Sequence, residues 1–349
     1  AIAANLNVSV ALMGNTTVWK PATTALLSNY YLMKVYEEAG MPGGVINFVP
    51  GSGALISGVV FKDKDLGGIH FTGSNATFNT LWKNITDNLT TYKSYPRIVG
   101  ETGGKDFIFA HKTAGVPELA TAIVRGAFEY QGQKCSAASR AYIPESIWKD
   151  TRDTVLRMIA EIKMGDVDDF GNFVNAIIEE SAYNRIMGYI NRVREEGKAE
   201  IIAGGNGDKS KGYFIEPTVI VTKDPHYFVM EEEIFGPVMT IYVYKDDLFE
   251  ETLKLCDETS PYGLTGSIFS TDKYATIKAY EELRYAAGNF YFNDKPTGAV
   301  VGQQPFGGSR ASGTNDKAGS HLNLLRWVSP RTIKETFVPD TDFRYPFME

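Results

Sequence analysis

Cys135 sits in the run Tyr130-Gln131-Gly132-Gln133-Lys134-Cys135-Ser136-Ala137, and Glu101 in Gly100-Glu101-Thr102-Gly103-Gly104-Lys105. A thiol in a glycine-flanked loop and a carboxylate in a Gly-rich turn are the residue types of a nucleophile and its base. A thiolate is a strong nucleophile, and a nearby cation or helix end lowers its pKa. Lys134 adjoins the thiol, and Gly132 permits close backbone approach to a ligand. The chain has two cysteines. Cys256 falls in the helical pattern Thr252-Leu253-Lys254-Leu255-Cys256 and fits a buried structural thiol, the commoner fate of a cysteine. The Gly and Gln residues around Cys135 argue against that fate there. Glu101 could draw a proton from water if burial raises its pKa. A lone turn carboxylate is more often a plain surface group, but Ile98-Val99 and Phe107-Ile108 on its two sides suggest a turn between buried strands.

Other groups carry weaker signals. Pro50-Gly51-Ser52-Gly53 and Phe71-Thr72-Gly73-Ser74 each follow a strand pattern and precede a helix pattern, where backbone amides can bind phosphate. Gly51, Gly53 and Gly58 do not form the Gly-x-Gly-x-x-Gly fingerprint, so alone these are ordinary turns. His70, His111, His226 and His321 are scattered and form no zinc-type cluster, so no metal is expected. The acidic run Glu231-Glu232-Glu233 reads by default as a solvated helix end.

The elements that must position these groups alternate. In the first hundred residues, strand patterns at Val18-Trp19, Val45–Val49 and Gly68–Phe71 alternate with helix patterns at Thr24–Glu38, Ala54–Phe61 and from Thr72-Gly73-Ser74 through Leu89. Strand, turn and helix in repetition argue for a parallel sheet with helices on its faces. A second unit begins near Gly103. It has strands at Asp106–Ala110, Ala141–Ile143, Val238–Tyr244 and Gly288–Asn293. Its helices are expected at Glu118–Tyr130, Trp148–Lys163, Glu179–Gly197 (with Tyr183, Ile186, Met187 and Ile190 on one stripe) and Phe249–Glu258. Gly298–Gly313 reads as a loop. From Leu324 onward, short β-type runs broken by Pro330, Pro339 and Pro346 suggest an extended terminal arm.

The 349 residues suffice for two domains, and 43% hydrophobic with 22% charged residues is ordinary for a globular chain. A net charge of −7 disfavours a nucleic-acid surface. No apolar run approaches the roughly 20 residues that span a bilayer. Sparse cysteine fits a reducing compartment, and the sequons at Asn7, Asn15, Asn75, Asn84 and Asn88 read as chance. The opening Ala1-Ile2-Ala3-Ala4-Asn5-Leu6 reads like the inside of a buried helix, so the chain is expected to be part of a longer protein.

Taken together the motifs resemble the aldehyde dehydrogenase superfamily. Its markers are Glu-x-Gly-Gly-Lys (Glu101 to Lys105), Gly-Gln-x-Cys (Gly132 to Cys135), Glu-Glu-Ile-Phe-Gly-Pro (Glu232 to Pro237), Trp19-Lys20-Pro21, Phe71-Thr72-Gly73-Ser74, and Pro305-Phe306 with Ser309. Their order and spacing fit over essentially the whole chain. Within that superfamily the chain is similar to the Δ1-pyrroline-5-carboxylate dehydrogenases, on Phe128 to Ala137, Gly288 to Lys295, Val301 to Phe306 and Ala311 to Lys317. The fold so implied is α/β. It comprises a Rossmann-like cofactor domain (1–102, its C-terminal portion only), an α/β catalytic domain (103–317) and a β oligomerisation arm (318–349).

The resemblance implies NAD-dependent oxidation of L-glutamate γ-semialdehyde to L-glutamate in proline breakdown. Cys135 would attack the aldehyde to give a thiohemiacetal, hydride loss would leave a thioester, and Glu101 would activate the hydrolytic water. Lys20 and Glu233 would hold ribose hydroxyls, Phe235 would pack near the nicotinamide ribose, and Gly51, Gly73 and Ser74 would line the pyrophosphate and adenosine region. Ser136 and the amides of Gly298 and Ala299 would receive the substrate α-carboxylate in an anion nest. Some relatives carry a serine at the Ala299 position. Phe306 would wall the aliphatic chain.

The family's oxyanion asparagine, in a Pro-Phe-Asn-Phe-Thr stretch, and the early cofactor-domain strands have no counterpart in these residues. The Cys135 amide remains. Losing one oxyanion donor costs on the order of 10²–10³ in turnover, so the 349 residues alone are expected to be inactive. Rival readings are a dehydrogenase for another ω-aldehyde, a non-catalytic protein on the same fold, and a cysteine hydrolase, which needs a histidine beside Cys135. The family also implies a homodimer or higher homo-oligomer, a small-molecule aldehyde as ligand, no nucleic-acid or membrane partner, and a mitochondrial-matrix location in a eukaryote or a cytoplasmic one in a bacterium.

Overall fold

The computed structural model describes residues 2–300 and 302–348. Ala1 of the opening run and Val301 of the Val301–Phe306 motif lie outside the described residues, as does Glu349.

A seven-stranded sheet forms the centre. Its order is Asn289–Phe292, Thr265–Phe269, Asp106–Ala110, Ala138–Pro144, Val238–Tyr244, Thr218–Thr222, Ala199–Ala203. All neighbours are parallel except the last pair. The strand Asp106–Ala110 shows why the sequence reads as a near-continuous apolar run: alternate residues serve opposite cores. Ile108 and Ala110 pack with Leu119, Ile123, Phe128 and Val155 from helices Val116–Phe128 and Glu145–Ala160. Phe107 and Phe109 pack on the other face with Leu253, Cys256 and Leu283. Helix Glu180–Glu196 buries Tyr183, Ile186, Ile190 and Val193, and Met187 of the expected stripe packs partly buried against the same core.

The expected strands and helices of the second unit all form, with ends shifted by a few residues. Helix Val116–Phe128 stops short of Tyr130, because Tyr130, Gln131 and Gly132 all adopt positive φ. Strands Ala199–Ala203, Thr218–Thr222 and Thr265–Phe269 and helix Lys273–Glu282 lie outside the expected set.

The first hundred residues differ more from expectation. In place of one parallel sheet there are two parallel pairs, Thr17–Trp19 with Ile46–Phe48 and Gly68–Thr72 with Arg97–Glu101. Helix Leu26–Glu38 buries none of its residues, so the stripe of Leu27, Tyr31 and Val35 faces outward. Leu55 and Val59 of helix Gly53–Val60 do the same. The terminal segment is extended beyond helix His321–Leu325. Its β-type runs form no ladder among the described residues, and Ile333, Phe337, Val338 and Phe343 are exposed. A strand needs a partner edge, and a single chain offers none there.

Candidate active site around Cys135 and Glu101

Glu101 ends the strand Arg97–Glu101, paired with Thr72 of the neighbouring strand. A strap from Ala311 to Thr314 backs it. Thr102 N–H donates to the Ser312 carbonyl at 2.9 Å, Thr102 Oγ1 to the Ala311 carbonyl, and Thr314 N–H to the Gly100 carbonyl at 2.9 Å. Burial raises the Glu101 carboxyl to about 7, with Lys317 pulling it down and Asp316 pushing it up. Lys317 is fixed by donating Nζ to the Gly288 and Gly307 carbonyls at 2.7 and 3.0 Å.

The Gly-Gly turn brings the remaining parts together. A Cβ at Gly103 would lie 2.2 Å from a Glu233 carboxylate oxygen, and one at Gly104 2.3 Å from the Cys135 carbonyl. Gly104 N–H donates to Glu233 Oε1 at 2.9 Å. Glycine is required here because the backbone itself must touch both groups. Gly104→Ala in the intact protein should therefore push the Cys135 loop aside. Displacement on the order of 1 Å costs about 10²-fold, so kcat/KM should fall by about that factor. A steady-state assay on a variant verified as folded by circular dichroism checks this.

Cys135 follows the left-handed trio Tyr130, Gln131 and Gly132, with φ of 56°, 55° and 63°. Non-glycine residues pay about 1–2 kcal/mol each for this conformation, and the two glutamines offset it. Gln131 donates to the Ala176 carbonyl and accepts from Asn175 N–H, both at 3.2 Å, while Gln133 accepts from Ile178 N–H at 3.2 Å. The thiol is half-buried. Burial pushes it up to about 12, and the charges of Asp106, Glu101 and Glu233 add to that, against its own backbone amide. Cys135 therefore rests as a neutral thiol in the field of three carboxyl groups, Glu101 among them. Cys256 is fully buried in the core, as expected.

The other expected site residues take these places. Ser136 is buried with Oγ 2.9 Å from Thr297 Oγ1. That contact joins the Cys135 loop to the turn bearing Gly298, at φ 106°, and half-buried Ala299. Phe306 is half-buried and exchanges backbone hydrogen bonds with Ala318 at 2.9 and 2.7 Å. Glu233 is half-buried and desolvation raises its carboxyl, so it departs from the expected solvated helix end, while Glu232 is exposed and Glu231 partly so. Phe235 adopts φ 54°. Lys20 is half-buried, and its Nζ donates to the Pro21 carbonyl at 2.8 Å.

Gly51, Gly73 and Ser74 are exposed at the N-termini of helices Gly53–Val60 and Asn75–Asp87, whose first turns hold no acidic residue. Ser52 and Ser74 cap them through Leu55 and Thr77 N–H, both at 3.2 Å. Two helix ends free of acidic side chains, with a carboxylate and an ammonium elsewhere in the set, suit a dinucleotide's phosphates and ribose diols. Among the described residues no group of histidine, cysteine and carboxylate side chains could hold a metal, and no helix is long and apolar enough to cross a membrane.

A model of the aldehyde dehydrogenase family matches residues 2–333. The chain belongs to the aldehyde dehydrogenase family. Among relatives of this aldehyde dehydrogenase chain, the mitochondrial Δ1-pyrroline-5-carboxylate dehydrogenase of Dictyostelium discoideum is 60% identical, over all of the chain and 63% of that protein. The human mitochondrial enzyme of the same name is 49% identical over all of the chain and 62% of its own length. The crystal structure of the Mycobacterium tuberculosis Δ-pyrroline-5-carboxylate dehydrogenase bound with NAD superimposes with a TM-score of 0.93 at 51% identity, covering 99% of the chain and 64% of that protein. The chain thus spans a little under two thirds of the curated relatives it matches.

Several residues of the site carry no motif-level signal. Thr297 lies outside the recognised runs, and Glu129 and Lys295 lie inside them without an assigned role; their importance lies in contacts between distant segments. The glutamines of the Cys135 loop are in plain view, but nothing in their spacing says what they bind.

Proposed function

We propose that this chain carries the catalytic centre of an NAD-dependent L-glutamate γ-semialdehyde dehydrogenase, producing L-glutamate in proline breakdown. The observation that carries it is the packing of the Glu101–Lys105 turn against the Cys135 loop, where a Cβ at Gly104 would run into the Cys135 carbonyl, beside the Ser136–Thr297 contact and the turn at Gly298. Relatives with that activity in their names, at 46–60% identity, support it.

Cys135 loses its proton to Glu101, directly or through one water, and its sulfur attacks the aldehyde carbon to form a tetrahedral adduct. NAD would supply the hydride acceptor when bound, and loss of hydride from the adduct would leave a thioester on Cys135. Glu101, once it has passed the thiol proton to solvent, takes a proton from water, whose oxygen attacks the acyl carbon; sulfur departs as thiolate and regains a proton from Glu101. Glu233 and Lys20 hold ribose hydroxyls, Phe235 packs at the nicotinamide end, and Gly51, Gly73 and Ser74 meet the phosphate and adenosine region. Ser136 and the Gly298 and Ala299 amides receive the substrate carboxylate, and Phe306 flanks its methylenes.

The divisions 1–102, 103–317 and 318–349 are proposed as cofactor domain, catalytic domain and oligomerisation arm. The uncovered apolar residues beyond Pro330 support a homodimer or larger assembly. Light scattering that returned a single-chain mass for the intact protein would rule this out. The relatives' names support a mitochondrial location for a eukaryotic source, proposed to be the matrix, and a cytoplasmic one is proposed for a bacterial source.

The function is tested by NADH formation in the intact protein with glutamate γ-semialdehyde, succinate semialdehyde and acetaldehyde. The α-carboxylate-bearing substrate is expected to have the highest kcat/KM. Equal values for all three would remove the assignment.

A further inference from the structure

Two loops of this chain are joined by a charge cluster. Glu129 Oε2 accepts from Lys134 Nζ at 2.7 Å and from Lys295 Nζ at 3.4 Å. Lys295 Nζ also donates to the Thr297 carbonyl at 3.0 Å. All three charged side chains are only partly exposed, at 28%, 21% and 38% for Lys134, Lys295 and Glu129. Two ammonium groups share one carboxylate, so the cluster keeps an unneutralised positive charge. Thr297 lies in the same segment and accepts or donates the hydrogen bond to Ser136 Oγ.

Lys295 also shapes the backbone. A Cβ at Gly298 would lie 2.7 Å from Lys295 Nζ, so the ammonium packs against the turn whose Gly298 has φ 106°. Its base lies beside helix Val116–Phe128: a Cβ at Gly126 would meet Lys295 Cβ and Pro296 Cδ, each at 3.7 Å. Burial opposes ionisation of Glu129, but its bonds to Lys134 and Lys295 outweigh that and hold the carboxyl below its usual range. The clamp is therefore charged at neutral pH.

We propose that Lys295, tethered by Glu129, is a positioning and specificity residue that fixes the Thr297–Ala299 turn and lends positive charge for an anionic substrate. The role rests on the substrate class proposed above. A cation within hydrogen-bond reach of the turn favours a carboxylate over a neutral group, and the pair Ser136–Thr297 sets the distance between that charge and the reacting sulfur.

The test compares Lys295→Met, Lys295→Arg and Glu129→Gln in the intact protein, with glutamate γ-semialdehyde and with propanal as a neutral aldehyde. Lys295→Met should raise KM for the anionic aldehyde so that its kcat/KM falls about tenfold more than that for propanal, the worth of one charge-assisted hydrogen bond. Lys295→Arg should restore part of the preference, and Glu129→Gln should lose part of it. The wild-type preference should also weaken as salt rises, since the attraction is screened over about 8–10 Å. Equal losses with both aldehydes in Lys295→Met would reduce Lys295 to a structural prop and overturn the proposal, as would a preference left intact. If the wild-type protein shows no preference for the anionic aldehyde, the substrate assignment itself fails, whatever Lys295 does.

Discussion

Cys135→Ala in the intact protein is expected to reduce NADH formation by at least about 10⁴-fold, the scale on which nucleophile removal acts. The reason is covalent: without sulfur there is no adduct from which hydride can leave. Cys256 cannot substitute, because it is fully buried between the sheet and its helices and burial pushes its thiol up to about 12. Folding should be little affected, since Cys135 is half-buried in a loop that Gln131 and Gln133 anchor. The check is a steady-state assay with a thermal melt alongside. Residual turnover within tenfold of wild type would remove Cys135 from the chemistry.

Glu101→Gln should be slower by about 10²–10⁴-fold, the usual worth of a positioned general base. Its signature differs from that of Cys135→Ala. If acylation is less impaired than hydrolysis, a burst of NADH near one equivalent per site should precede a slow steady state. The pH dependence follows from burial. The wild-type carboxyl is raised to about 7. Below that value it holds its proton and cannot accept one, so hydrolysis should fall about tenfold for each pH unit lower. Above it the rate should level. Glutamine has no such proton, so the limb near pH 7 should vanish from the variant's profile. Stopped-flow absorbance across pH 5.5–9 reads both effects.

The types of the reacting groups were legible in the sequence, because few residues can act as a sulfur nucleophile or a turn carboxylate. The packing of their two loops was not. It depends on Gly103 and Gly104, whose missing Cβ atoms let Glu233 and the Cys135 carbonyl approach the turn. Periodicity located the central strand Asp106–Ala110, since both its faces are covered. It does not reveal Thr265–Phe269 as readily, where Gly266 lies beneath the Phe107 ring and a Cβ would fall 2.1 Å from it. Helix Leu26–Glu38 was legible from an apolar stripe that the described residues leave uncovered, so packing among them does not account for its pattern. The Glu129, Lys134 and Lys295 cluster joins positions 166 residues apart, which no local pattern encodes.

The central claim is that Cys135 carries the acyl group that Glu101 releases to water. Mass spectrometry addresses it most directly. The intact Glu101→Gln protein would be mixed with NAD and glutamate γ-semialdehyde, quenched in acid and digested. A glutamyl mass addition on the peptide that contains Cys135 is expected, near one per chain, and absent when NAD is omitted and the hemithioacetal reverses. NADH released without any adduct on that peptide, or an adduct found on Cys256 instead, would contradict the account.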